Sequence, residues 1–351
     1  MQTFTDLRGQ ARPATDLPLF DAPATVRTFD APEFRGITFY EVEAKSILNR
    51  VPAASRMPFE WTINVYRGCS HACKYCFARP SHTYLNFDAG RDFERRIVVK
   101  VNAPEVLRRE LRKKSWTGAH VAMGTNTDPY QRCEGRYRLT RGVLEALRDH
   151  ANPCSVLTKS PLLLRDLDLF VDLASTAGFS ANLSIGTLDE EVWRRSEPGT
   201  PHPRARMAAV RRLVAAGIPC GILMAPILPG ISDSPEQLRA VVRAAADAGA
   251  SHLTPLTLHL RPGVREEFLP WLEEAYPELL ADYRRLYRGA NAPKAVREEI
   301  AGRVRAEKHR HPAFATRAEP ATARRLPERP DPDPDPDPPP EPATQLSLGL
   351  G

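Results

Sequence analysis

The sequence predicts an α/β fold, an incomplete and open barrel of six βα units. Two observations predict it. Short apolar runs of strand length recur at 62–66, 120–124, 155–157, 181–185, 221–227 and 252–256, and stretches with helical spacing of apolar residues separate them. Strands that alternate with helices pair in parallel, because each crossover returns the chain to the same end of the sheet. Six units are too few to close the eight-stranded form.

Taken in order, residues 1–35 scatter Pro, Asp and Thr with little periodicity and read as a loose arm, with the barrel expected over 36–310. The helix after the fifth strand carries the clearest signals. Ser234 suits an N-cap, Pro235 suits the first helical position, and Gln237 stands where a capping box places its partner. Leu238, Val241, Val242 and Ala245 then share one face, and Gly249 is a stop. In the preceding helix Met207, Val210, Leu213 and Val214 do the same before Gly217 and Pro219. Both stripes read as core packing. The tail over 311–351 contains a DPDPDPDPPPEP tract with no apolar side chain, and each proline there lacks a backbone donor, so an extended, polyproline-like tether is expected.

The chain has 351 residues and 42% hydrophobic content, which suits a globular core. No apolar run approaches the roughly 20 residues of a membrane span, and the N-terminus lacks the basic head and apolar stretch of a secretory signal. Six cysteines in a chain this long do not make a disulfide scaffold, so a reducing cytoplasm with free or metal-bound thiols is expected. No feature signals an oligomer, and a monomer is the working expectation. Residues 331–351 hold five acidic residues and no Lys or Arg, so the net charge of +6 becomes +11 over residues 1–330. A basic body fits a polyanionic partner such as nucleic acid, and fits equally an Arg-rich solvated surface.

Directly after the first expected strand, Cys69, Cys73 and Cys76 lie in a C-x3-C-x2-C loop opened by Gly68. Close spacing lets one loop wrap a metal cluster, and three thiolates leave one iron of a four-iron cluster without a protein thiolate. The alternative is a zinc site completed by His71 or a distant cysteine, although structural zinc usually pairs two separated ligand knuckles and only one is present. Cys154 and Cys220 precede apolar runs and read as buried thiols. Cys133 follows the block GTNTDPYQ and reads either as an incidental thiol or as one facing a site.

The loop YRGCSHACKYCFARPSH resembles the cluster loop of radical S-adenosylmethionine (SAM) enzymes, and more narrowly a bacterial subfamily related to spore photoproduct lyase. The resemblance continues through GTNTDPYQ (124–131), LTKS (157–160), RDLDL (165–169), SIGTLD (184–189), EPGTP (197–201), APILPGISD (225–233) and LHLRPGVRE (258–266). It implies a radical SAM partial barrel in which Cys69, Cys73 and Cys76 hold a [4Fe–4S] cluster. The open iron binds S-adenosyl-L-methionine, whose reductive cleavage yields a radical that takes hydrogen from substrate. It also implies that Thr127 and Asp128 stand where many such enzymes carry Gly-Gly-Glu, and that Lys159 and Ser184 contact the cofactor. Those residues read otherwise as turn-capping or surface side chains. Where the lyases have a cysteine upstream of the hydroxyl–Asp pair, this chain has Thr125. A hydroxyl hydrogen is much harder to abstract than a thiol hydrogen, so another substrate or another quenching step is implied.

The terminal QLSLGL is similar to peptides that dock bacterial repair factors on the sliding clamp, with Gln345, Leu346, Leu348 and Leu350 as the contacting residues. Chance occurrence of so short a pattern is the competing reading. The leading functional reading is radical chemistry on a DNA or RNA base, driven by an unidentified electron donor. The rivals are the same chemistry on a protein or small metabolite, and a non-catalytic module that only binds a metal cluster.

Overall fold

A computed structural model describes residues 9–315, apart from 16, 18, 21, 53, 54 and 56. In chain order the strands are β1 (Gly9–Thr15), β2 (Ala24–Phe29), β3 (Thr38–Val42), β4 (Leu48–Arg50), β5 (Trp61–Ile63), β6 (Tyr66–Arg67), β7 (Arg96–Lys100), β8 (Val121–Met123), β9 (Cys154–Thr158), β10 (Phe179–Ser184), β11 (Cys220–Ile227) and β12 (Leu253–Thr257). They form two sheets. The larger runs β12-β11-β10-β9-β8-β5-β4, and the smaller runs β1-β2-β3-β7-β6.

The six parallel strands of the larger sheet, β5 and β8 to β12, coincide with the six apolar runs. Each pairs with its predecessor, for example Val121 with Cys154 and Ile222 with Leu253. Strand order that never reverses curls a parallel sheet toward a barrel, whereas doubly wound sheets reverse at a switch point. At one edge β4 pairs antiparallel with β5, Leu48 facing Ile63.

The helix grammar is realised at both marked places. Helix Pro235–Asp247 begins with the Ser234 hydroxyl accepting from Gln237 N–H at 3.2 Å, and buries Leu238, Val241, Val242 and Ala245. Helix Pro203–Ala215 buries Met207, Val210 and Leu213, and ends where Gly217 adopts φ +80°. Each fully buried Leu, Val or Met among them contributes roughly 1.5–3 kcal/mol. These faces join one core with Val156, Leu183, Ile222 and Leu253 of the sheet.

The smaller sheet corrects the expectation of a loose arm. Within residues 1–35, β1 and β2 pair antiparallel, and β2 pairs on to β3, with Thr25 opposite Glu41. Phe29 and Phe34 pack edge-on and tilted against Phe39 and Tyr137, which anchors this segment to the main core. Burial of three phenylalanines outweighs the weak local periodicity. This sheet also inserts β6 and β7 between β5 and β8, so the first crossover is far longer than one helix.

A second apolar cluster roofs the strand ends. Leu258, Leu260, Val264, Phe268, Leu272, Tyr283 and Tyr287 join Cys73 and Tyr75 of the cysteine loop. The Tyr283 hydroxyl donates to the Pro229 carbonyl (2.8 Å) and that of Tyr287 to Leu258 (3.0 Å), so these buried rings keep their polar tips satisfied. Among the described residues no helix is long and apolar enough to cross a membrane. The terminal peptide with Gln345, Leu346, Leu348 and Leu350 lies outside the described residues.

Candidate active site

The cysteine loop sits beyond the carboxyl ends of the parallel strands, where α/β folds gather ligands. Gly68 takes φ +80°, and a Cβ there would approach the Phe93 carbonyl at 2.9 Å, so only glycine fits the turn into Cys69. Cys69 N–H then donates to that same carbonyl (2.9 Å).

Four of the downstream blocks grip this loop. From GTNTDPYQ, the Thr127 hydroxyl donates to the Tyr66 carbonyl (2.9 Å), and Gln131 donates to the Gly68 carbonyl (3.1 Å) while accepting from Ser70 N–H (3.0 Å). Asp128 faces His71 Nδ1 at 3.4 Å and accepts from Tyr130 N–H (2.8 Å), Thr158 Oγ1 (2.6 Å) and Lys159 N–H (2.7 Å). This ties LTKS to the loop. From EPGTP, Gly199 N–H donates to the His71 carbonyl (3.0 Å), and an added Cβ would meet the Ser70 carbonyl at 2.2 Å. From LHLRPGVRE, Arg261 donates to the Phe77 carbonyl (2.5 Å) and lies 5.9 Å from the Phe77 ring. Arg79, fully buried, adds two donations to the Cys73 carbonyl and two to Ala89 and Gly90.

Cys69 and Cys73 are buried and Cys76 is half-buried; all three are free thiols. Burial pushes each thiol up, with the Asp128 charge adding to Cys69 and that of Glu197 to Cys73, while Arg79, Lys159 and Arg261 partly offset it at Cys76. Thiols raised in this way stay protonated unless bound positive charge draws the protons off, and an iron centre supplies that charge. Three free thiols at C-x3-C-x2-C spacing on one loop are a donor set that fits a thiolate-held cluster. Among the described residues no three His, Cys, Asp or Glu side chains are grouped so as to hold a single metal ion.

Of the other expected contacts, the side chains of Lys159 and Ser184 come together, while Asp128 reaches Lys159 only at its backbone N–H and Thr127 stays apart. Lys159 Nζ donates to the Ser184 hydroxyl (2.7 Å), lies 3.3 Å from the Glu197 carboxylate, and stands 5.6 Å over the Tyr75 ring. Thr127 and Asp128 instead have their side chains engaged with backbone and neighbouring side chains, as above. Thr125 is half-buried beside Gly124, whose φ is +84°. Cys133 is buried in the main core, where burial foremost and the Glu134 charge raise its thiol.

Sequence reasoning missed the group behind Lys159. Glu197 accepts from the Tyr75 hydroxyl and from Arg206, and also from Thr200 Oγ1 (3.1 Å). Arg206 donates further to the carbonyls of Pro201 (2.9 Å) and Ser184 (3.0 Å) and to Thr200 Oγ1 (2.6 Å). Burial pushes the Glu197 carboxyl up, but the Arg206 and Lys159 charges outweigh it and hold it well below the usual carboxylate range. An ionised, fully paired carboxylate thus fixes Tyr75 of the loop and Lys159, the residue after β9, together. The available signal was Glu197 within EPGTP; Arg206 sits among the apolar residues of its helix and gave none.

The radical SAM superfamily model matches residues 63–251, which spans the cysteine loop and four of the six parallel strands, β8 to β11, in full. This chain belongs to the radical SAM superfamily. It is accordingly a radical SAM enzyme, using a [4Fe–4S] cluster and S-adenosylmethionine. An uncharacterized protein of Mycobacterium tuberculosis is 49% identical over 289 residues, covering 82% of this chain and 85% of that protein. An uncharacterized protein of Methanocaldococcus jannaschii is 32% identical over 200 residues, covering 56% of this chain and 70% of that protein. Among solved structures, spore photoproduct lyase complexed with a dinucleoside spore photoproduct superposes with a TM-score of 0.57 at 17% identity, covering 79% of this chain and 80% of that one. At that identity the likeness is one of fold, and it relates this radical SAM enzyme to the lyase's architecture.

Proposed function

We propose that Cys69, Cys73 and Cys76 carry the [4Fe–4S] cluster, that Lys159 and Ser184 contact S-adenosylmethionine, and that the substrate is a nucleic-acid base. The carrying observation is convergence: Asp128 and Gln131, Glu197 and Gly199, and Arg261, from three separate blocks, all hold the cysteine loop or the lysine beside it. When bound, cluster and cofactor supply the radical that takes hydrogen from substrate. The residues of this chain orient and shield. Lys159 offers a mobile cation to a carboxylate or ribose oxygen, and the Ser184 hydroxyl can turn from the Ala225 carbonyl to a ligand. Thr127 and Asp128 then serve by shaping the loop. The roof of Leu260, Val264 and Phe268 keeps water from the strand ends on one side.

The substrate reading is supported by the basic body, by exposed Phe77 and Tyr84 following Cys76, and by the fold shared with a lyase whose structure holds a dinucleoside. Thr125 in place of the lyase cysteine argues that the reaction ends differently. The test is anaerobic reconstitution with iron and sulfide, followed by S-adenosylmethionine and dithionite, with 5′-deoxyadenosine measured by mass. A Cys69→Ala, Cys73→Ala, Cys76→Ala variant should make none. Stimulation by oligonucleotide supports the base reading, whereas stimulation only by protein or small-molecule extracts overturns it. An intact four-iron cluster that never cleaves cofactor under any of these conditions would point to a binding module.

A further inference from the structure

Strand β6 enters the cysteine loop with Arg67. In the antiparallel pairing of β6 with β7, Arg67 stands opposite Val98, and Lys100 lies two residues further along β7. Both side chains therefore leave the same face of the smaller sheet. That face also carries Tyr40 and Val42 of β3, opposite Val98 and Lys100, and Leu17, Leu85 and Phe87 cover it. Two cations sit in an apolar wall.

Among the described residues, Arg67 and Lys100 make no ion pair and no side-chain hydrogen bond. Lys100 is nevertheless only 6% exposed. The carboxylate whose field reaches it, Glu110, is occupied by Ser46 Oγ (2.6 Å) and the N–H groups of Ile47 (3.1 Å) and Leu48 (2.9 Å). Arg67 acts on Lys100 as a like charge, and His82 beside it has a buried Nδ1 without a partner. The charged tips of Arg67 and Lys100 are not among the fully buried atoms, so two neighbouring cations without a carboxylate partner stay open to an anion from solvent.

We propose that Arg67 and Lys100 form a phosphate-binding subsite beside the cysteine loop, which takes a backbone phosphate of a nucleic-acid substrate. The proposal rests on the nucleic-acid reading above. A guanidinium fork and an ammonium together match a phosphate in geometry and charge. Tyr84, 69% exposed and close enough for its hydroxyl to act on Arg67, offers a ring on which a flanking base stacks. Arg67 lies two residues before Cys69, so a phosphate held there brings the adjoining nucleotide to the loop.

The experiment uses the full reconstituted chain, Arg67→Gln and Lys100→Met. Methionine keeps the lysine stem's bulk and removes only the charge. A labelled single-stranded oligonucleotide is titrated by fluorescence anisotropy from 50 to 200 mM salt, roughly the range over which phosphate contacts register. Melting temperature is followed with added inorganic phosphate. Each variant is expected to bind the oligonucleotide about tenfold more weakly at low salt, with the log–log salt slope shallower by about one. Phosphate should raise the melting temperature of the native chain and not of the variants. Lys100→Met should melt no lower than the native chain, which separates lost binding from lost folding. Unchanged oligonucleotide affinity in both variants overturns the proposal, as does a native chain that responds to neither ligand. A native chain stabilised by phosphate through Arg67 and Lys100 that binds no oligonucleotide would overturn the polynucleotide source and assign the subsite to a free phosphorylated metabolite.

Discussion

Replacing Glu197 by Gln tests whether the group behind Lys159 is an electrostatic unit. Gln keeps the shape of the side chain and can still accept from Tyr75 and Thr200, so what it removes is charge. Arg206, 1% exposed, is then left as a buried cation whose remaining partners are carbonyls and a hydroxyl. Stranding one member of a buried pair costs about 3–5 kcal/mol. The retained hydrogen bonds place this case near the lower end, about 3 kcal/mol, or a fall in melting temperature of roughly 5 °C for a chain of this size. Adding Arg206→Met removes the stranded charge, so the double variant should lose at least about 2 kcal/mol less than the sum of the singles.

The pH dependence has a definite sign. The Glu197 carboxyl is held below its ordinary 4.5 in the folded chain, so its contribution is complete above 4.5 and is lost as pH falls below that value. The stability gap between native chain and Glu197→Gln should thus be flat from pH 8 to 5 and narrow below about 4.5. The assay is thermal unfolding by circular dichroism on anaerobic protein across that range. A loss under about 1 kcal/mol at pH 7, or strict additivity in the double variant, would refute the coupled buried pair.

Three further outcomes are expected. Gly199→Ala drives a Cβ into the Ser70 carbonyl at 2.2 Å, so the loop must shift; reconstituted iron content and the cluster's visible absorbance should fall while far-ultraviolet dichroism persists. Lys159→Met removes the ammonium beside Ser184 and should weaken S-adenosylmethionine binding to the reconstituted enzyme by about ten- to a hundredfold; unchanged affinity in calorimetry would dismiss Lys159 as a contact. Burial and the Arg67 charge hold the Lys100 ammonium down at about 8 against an ordinary 10.5, so the native chain bears a penalty that is full below pH 8 and vanishes above 10.5. Lys100→Met should therefore gain about 3 kcal/mol at pH 7 in urea unfolding, and the gain should shrink between pH 8 and 10.5.

What the sequence determined by itself is whatever local pattern encodes. The parallel strands were legible because a buried strand must be a short apolar run, and the helices because Ser234, Pro235 and the stripes at 207–214 and 238–245 obey helical spacing. The cysteine loop was legible because ligand spacing on one loop is a local property. The smaller sheet was not, since β6 is two residues long and β1 contains a proline, and the sheet is anchored through Phe29 and Tyr66 to a core that includes Tyr137, far along the chain. Lys159 and Ser184 were singled out separately, but only folding brings them within 2.7 Å of each other and against Glu197. Arg206 and Lys100 carry no local signature at all. A cation's meaning depends on which charges surround it at a few ångströms, and that distance is set by the packing of strands and helices that are remote in sequence.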